Sequence, residues 1–236
     1  MDYLLIIPAR QDSKGILNKN LQSLDGLSLV GRACITAVTV INILYGKGHR
    51  VICSTDSPEI ADVALIHGAE APFLRPAELA SDTSSTISVI QHALRKLPDS
   101  FDGVLTLQAT SPFTAVSDVL KAIHLFETCG DPVVAVCENE HPVEWSMRLD
   151  AEQHFKWLFP WANAHQRQLT SPSYRLSGAF YLASPKQIEA NGTYFSSAAR
   201  ALVVPHERSL DIDTPFDLEL ARLLVKSDPS IYKQTS

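Results

Sequence analysis

The chain has 236 residues, 45% hydrophobic and 19% charged, with a formal net charge of −6. That suits one large globular domain, or one domain carrying an insertion. Acids and bases are mixed along the chain, which argues against the basic face that general nucleic-acid or membrane-surface binding requires.

The first predicted element is the strand YLLIIPA (3–9). No apolar run in the chain reaches transmembrane length, and the opening MDYLLIIPAR lacks the basic leader and cleavage site of a signal peptide, so a cytoplasmic protein is expected. The strand runs into a loop that places Arg10, Lys14 and Lys19 within ten residues. The loop has one glycine, Gly15, and neither GxxxxGK[ST] nor GxGxxG, so the common nucleotide fingerprints are absent. An Arg fork and Lys point charges, with Ser13, Asn20 and backbone amides between them, still make a polyphosphate cradle. Solvated loop lysines are the plainer alternative.

A helical stripe follows at Leu29, Ala33, Ala37, Ile41 and Leu44, then the strand RVICST (50–55). SPEIADVALIHG predicts a helix capped by Ser57 before Pro58 and stopped at Gly68. FLRPAELASDTSST (73–86) is dense in short polar side chains around Arg75. It suits a loop that reads a base or ribose, or a capped connection into the helix TISVIQHALRKL. The strand GVLTLQA (103–109) ends in LQATSP, where Gln108, Thr110 and Ser111 suit a polyhydroxy ligand, or Ser-Pro starts a helix. PVVAVCE (132–138) is a further buried strand. Strands alternating with helices predict a doubly wound, mostly parallel α/β sheet with ligands at the carboxyl ends of its strands. The four cysteines, Cys34, Cys53, Cys129 and Cys137, show no CxxC spacing and are expected as buried free thiols.

Near residue 140 the pattern changes. All three tryptophans lie within 145–161, and Phe155, Trp157, Phe159 and Trp161 alternate, which on a strand puts four aromatics on one face. Pro160 favours an edge or ribbon. We expect 140–175 to be an inserted dimerisation arm, its aromatic face packed on a second subunit, with packing onto its own domain as the plainer alternative, and the core formed by 1–139 and 176–236. Core patterns resume in SGAFYLAS and ALVVP. In SLDIDTPFDLELARLL, Thr214 is a helix cap, Pro215 the first helical residue and Asp217 the acid of a capping box. Asp211 and Asp213 therefore fall in extended chain with side chains on the same side, a pair able to hold Mg²⁺.

Taken together, IIPARQDSKG…NKN, STDSPEIA, LRPAELASDTSST, LQATSPF, SGAFYLAS and DIDTPFDLELA resemble the acylneuraminate cytidylyltransferases, which make CMP-activated sialic acids. The resemblance spans nearly the whole chain. It implies a Rossmann-like nucleotidyltransferase core, a homodimer through the arm, and Mg²⁺ dependence. The implied reaction is attack by the anomeric hydroxyl of a nonulosonic acid on the α-phosphorus of CTP, with pyrophosphate leaving.

By position, the resemblance implies that Arg10, Lys14 and Lys19 meet the triphosphate, with Ser13 and Asn20 beside them. Arg75, Ser84 and Thr86 would read cytosine and ribose, and Gln108, Tyr194 and Phe195 would face the sugar. Asp211 and Asp213 would hold Mg²⁺. Arg10 and Lys19 are expected to stabilise developing charge, with Asp211 as candidate base. The chain departs from the family pattern at Glu144, where relatives often carry a lysine for the sugar carboxylate, and at Ser177. Arg167 and Arg175 fit the arm's arginine pattern and are expected to supply that charge. N-acetylneuraminate is the first expected sugar, with legionaminate, pseudaminate and 3-deoxy-manno-octulosonate as alternatives. A non-catalytic nucleotide-binding module is the rival from another class. The presence of Arg10, Lys19 and both aspartates disfavours it.

Overall fold

The computed structural model describes residues 1–46, 48–159 and 170–228. Its frame is a six-stranded sheet. Strand β1 (Tyr3–Pro8) is followed by a short ribbon, β2 (Ser23–Leu24) with β3 (Leu27–Ser28), and by helix α1 (Leu29–Ile43). Then come β4 (Arg50–Ser54), α2 (Pro58–Ile66), α3 (Thr86–Lys96), β5 (Gly103–Leu107), α4 (Val116–Cys129) and β6 (Val133–Glu138). A separate hairpin, β7 (Met147–Leu149) with β8 (Phe155–Trp157), precedes β9 (Tyr174–Ala183), α5 (Pro185–Asn191), β10 (Arg200–Val203) and α6 (Pro215–Ser227).

The sheet order is β10-β6-β9-β5-β1-β4, and every pairing is parallel except the two made by β9. This is the doubly wound, mostly parallel sheet that the alternating pattern predicts. β1, β5 and most of β6 are largely apolar and buried because both faces of the sheet's centre are covered. Leu5 and Ile7 of β1 enter one core with α1, α2 and α4, whereas Leu4 and Ile6 enter the other with α3 and α5. A third cluster joins Ile16, Leu24 and Leu29 to Phe113, Ile212 and α6 residues Leu218, Ala221 and Val225. It clamps the loop after β1 against the Asp-Ile-Asp segment before α6.

The connection from β1 through α1 leads to β4 on one side of β1, and the connection through α3 leads to β5 on the other. That reversal is the switch point at which doubly wound sheets bind ligands. Local signals set the helix starts around it. Ser57 accepts from the Ile60 amide, Ser85 from Ser88 and Ser28 from Gly31. Gly68 ends the second helix at a φ of 82°, a conformation that favours glycine.

β9 begins at Tyr174, and its first residues already pair with Glu138, Cys137 and Val136 of β6. The aromatic alternation expected as one strand is ordered as β only over Phe155–Trp157, and Phe159 lies beyond it. Pro160, Trp161 and Arg167 lie outside the described residues. All four cysteines are free; Cys34, Cys53 and Cys137 are buried, while Cys129 is half-buried and donates to the Leu125 carbonyl. No helix among the described residues is long and apolar enough to cross a membrane.

Candidate active site

A cavity of about 350 Å³ opens at the switch point, lined by the loop after β1, the 75–86 segment and the end of β5. Arg10, Ser13, Lys14, Lys19, Asn20, Arg75, Ser84, Thr86, Gln108 and Asp213 all line it. Sequence positions up to two hundred residues apart thus meet in one place.

The cationic end is held by backbone contacts. Buried Asn20 donates to the Arg10 carbonyl at 2.8 Å, fixing the loop's entry. Gly15 lies so close to the Asp-Ile-Asp segment that a Cβ there would sit 2.2 Å from the Asp213 carbonyl oxygen, so only glycine lets the two segments touch. Across that contact Lys19 Nζ pairs with Asp213 Oδ1 at 2.9 Å. Arg10 and Lys14 both pair with Asp82, at 2.6 Å and 2.7 Å.

Arg75 is buried, and neither Nε nor Nη2 makes a hydrogen bond. Its Nη2 is 3.6 Å from Asp56, a charge pairing too long for a hydrogen bond. Burial lowers the guanidinium's pKa, and Asp56 opposes that effect. Asp56 also accepts from the Gln11 amide, linking this arginine to the loop after β1. Ser84 is bonded to Ser81 and to the Glu78 carbonyl, and Thr86 opens α3.

Ile212 is fully buried between the two aspartates, so alternation sends Asp211 and Asp213 the same way. The expected capping box is present: Thr214 accepts from the Asp217 amide, and Asp217 accepts from the amides of Thr214 and Asp213. Asp213 is exposed on the cavity. Asp211 is more enclosed; its Oδ1 is buried without a hydrogen bond. Burial pushes its carboxyl pKa up, nearby Asp213 adds to this, and Thr110 and Lys19 oppose it. Gly178, at a φ of 80°, leaves room for this carboxylate, since a Cβ there would lie 3.1 Å from Asp211 Oδ2.

Next to Asp211 the rings of Tyr181, Tyr194 and Phe195 pack together, Tyr181 stacked on Tyr194 and edge-on to Phe195. Here the sequence expectation needs correction. Tyr194 is 2% exposed, and its hydroxyl is bonded to buried Thr106 at 2.9 Å, so it supports the shelf from within the core. Phe195, 52% exposed, faces out. Arg175 is also not brought to the cavity; it stands exposed on β9 opposite Cys137.

Sequence reasoning assigned no role to Asp56, Asp82 or Tyr181. The first two lie inside STDSPEIA and LASDTSST, so the signal was present in the motifs themselves. Tyr181 stands in a strand pattern that reads as core.

A strand-end cavity that gathers Arg10, Lys14 and Lys19 on a doubly wound sheet has the form of a nucleotide site. Comparison with known proteins narrows this. The sequence model of the cytidylyltransferase family matches residues 4–145. A CMP-N,N'-diacetyllegionaminic acid synthase from Legionella pneumophila is 33% identical over 96% of this chain and 97% of its own length. An N-acylneuraminate cytidylyltransferase from Escherichia coli is 30% identical over 92% of this chain and 51% of that longer protein. A CMP:2-keto-3-deoxy-manno-octonic acid synthetase complexed with CTP shares the fold, with a TM-score of 0.70 at 16% identity over 96% of this chain and 99% of that one. The chain belongs to the cytidylyltransferase family, in the branch of the acylneuraminate cytidylyltransferases and related CMP-nonulosonate synthases.

Proposed function

We propose that this chain transfers CMP from CTP to the anomeric hydroxyl of an N-acylated nonulosonic acid, releasing pyrophosphate. The observation that carries the reading is the meeting of Arg10, Lys14 and Lys19 with Asp213 and Gln108 in one switch-point cavity, beside Asp211. The cations hold the triphosphate and offset charge that develops as the α-phosphorus is attacked, the main contribution a protein makes to phosphoryl transfer. Arg75, Ser84 and Thr86 face the nucleoside end. Gln108 takes a sugar hydroxyl, and the Tyr181–Phe195 shelf takes an N-acyl methyl. Asp211, its pKa raised by burial, is the better placed carboxylate to accept the hydroxyl proton.

The donor set fits Mg²⁺: two carboxylates, one of them with a buried oxygen that has no other partner. Asp211 and Asp213 would hold the ion, which when bound supplies charge neutralisation for the phosphates. The exposed apolar face of the β7–β8 hairpin supports a homodimer built through the 140–175 arm.

For the sugar, the resemblance favours N-acetylneuraminate. The full-length similarity to a diacetyllegionaminic acid synthase favours a sugar with a second acylamino group. Pyrophosphate release from CTP and Mg²⁺ with N-acetylneuraminate, diacetyllegionaminate, pseudaminate and 3-deoxy-manno-octulosonate decides between them. Release with a nonulosonate is expected. Silence across the panel from folded protein that binds CTP would sink the transferase reading.

A further inference from the structure

The cations of the cradle are not equivalent in how they are paired. Lys19 pairs with Asp213, which buried Ile212 and the α6 capping box hold in place. Arg10 and Lys14 share a single carboxylate, Asp82, with one oxygen on each. Asp82 belongs to the exposed connection between the 3₁₀ turn Ala77–Leu79 and α3. That connection is tied by its own hydroxyls, Ser81 to Thr83 and Ser84, and Ser84 to the Glu78 carbonyl. Among the described residues, its one hydrogen bond to the loop after β1 apart from the Asp82 pairs is Arg10 Nη1 donating to the Ala80 carbonyl at 3.3 Å.

Phosphate oxygens that bind Arg10 and Lys14 must approach the atoms Asp82 already occupies. Lys14 foremost, and Arg10, hold the Asp82 carboxyl below the usual range, so it stays anionic near neutral pH. An anionic tail and an anionic side chain cannot share the two cations without strong repulsion. One must leave, and the side chain on an exposed loop is the easier to move.

We propose that Asp82 is a displaceable counter-anion that a polyphosphate drives off Arg10 and Lys14, and that its release repositions the Ser81–Ser85 segment for the nucleoside. This rests on the cytidylyltransferase reading above and adds a specificity determinant to it. Phosphate capture and ordering of the nucleoside loop become one event, because Asp82 and Ser84 sit on the same short segment. After transfer, Asp82 competes with pyrophosphate for the same pair of cations and favours its departure. A ligand that engages only the nucleoside end leaves the Asp82 pairs intact.

The test uses the full chain, inorganic tripolyphosphate and CTP as probes, and the variants Asp82→Asn and Asp82→Ala. Calorimetric titration at low ionic strength should show both variants binding tripolyphosphate about five- to tenfold more tightly than the wild type. The gain should shrink as salt is added. Hydrogen exchange over 81–85 should change when wild type meets tripolyphosphate, and should already be changed in the variants alone. Tripolyphosphate binding that is equal or weaker in both variants, while the wild type binds both probes, overturns the counter-anion assignment alone. A wild type that binds neither probe overturns this assignment together with the cytidylyltransferase reading.

Discussion

The strand-end cavity and the β7–β8 hairpin differ in what holds them. Every residue of β5 is buried, and the loop it feeds is held by two apolar clusters, through Ala109 and Phe113. In the hairpin Met147, Leu149 and Phe155 are exposed, and β7 buries none of its residues. Arg148 stands directly opposite Lys156, a like-charge pairing that weakens a two-stranded ribbon already marginal by itself. The cavity is therefore preorganised by its own chain, whereas the hairpin leaves its apolar face exposed. Substitutions in the first region should affect chemistry and stability; those in the second should affect assembly.

The largest effect is expected at Asp211. Asp211→Asn keeps the shape of the side chain but removes its charge and its capacity to accept a proton. Turnover should fall by about 10²- to 10³-fold. CTP affinity, measured by calorimetry without Mg²⁺, should stay within a few-fold, because the cationic side chains are untouched. A variant with near-normal turnover at saturating Mg²⁺ would remove Asp211 from the chemistry.

Gly15→Ala tests whether the clamp itself matters. Its Cβ would meet backbone rather than a flexible side chain, so the loop and the Asp-Ile-Asp segment must part. The expected cost is about 1–3 kcal/mol in denaturant unfolding, with a loss of CTP affinity as Lys19 and Asp213 separate. Unchanged unfolding would mean the two segments are not held in contact.

A smaller, pH-dependent effect is expected at Asp217. Burial raises its pKa, but hydrogen bonds from Thr214 and Asp213 outweigh this and leave it below the ordinary carboxylate range. A depressed folded-state pKa means the contribution is present above the unfolded pKa and disappears as pH falls through the folded one. Asp217→Ala should therefore cost about 1 kcal/mol at neutral pH and progressively less in acid below the usual carboxylate range. A pH-independent difference in unfolding free energy would assign the effect to helix propensity.

The legible parts of this molecule were those set by neighbouring residues. The buried strands, the Ser57 and Thr214 caps and the Gly68 stop each follow from a few consecutive side chains. The cations after β1 were legible for the same reason, since they stand together against an acidic background. What could not be read required segments to meet. Asp82 has a role only because 80–84 folds over Arg10 and Lys14, and Asp56 only because it reaches both Gln11 and Arg75. The family resemblance assigns Tyr194 and Phe195 one shared role, facing the sugar. The fold turns one into the core against Thr106 and the other outward. Period-two alternation also overstated β8, because alternation specifies a face and not where pairing ends.

The smallest effect on the folded chain, and the sharpest on the comparison, is expected from the hairpin. Leu149 and Phe155 face each other across the ribbon, on the same side as Met147 and Trp157, and Phe155 packs edge-on against Trp157. Replacing both with serine removes apolar surface that this chain leaves more than half exposed. Unfolding free energy at concentrations where the protein is monomeric should change by no more than about 0.5 kcal/mol. Sedimentation velocity, in contrast, should move the molecule from dimer to monomer at micromolar concentration, because a two-fold interface carries each substitution twice. If the wild type sediments as a monomer throughout that range, the exposed face is not a subunit contact. If the double variant remains dimeric, the subunits meet elsewhere, and the contrast between a self-held cavity and a partner-held hairpin fails at its second term.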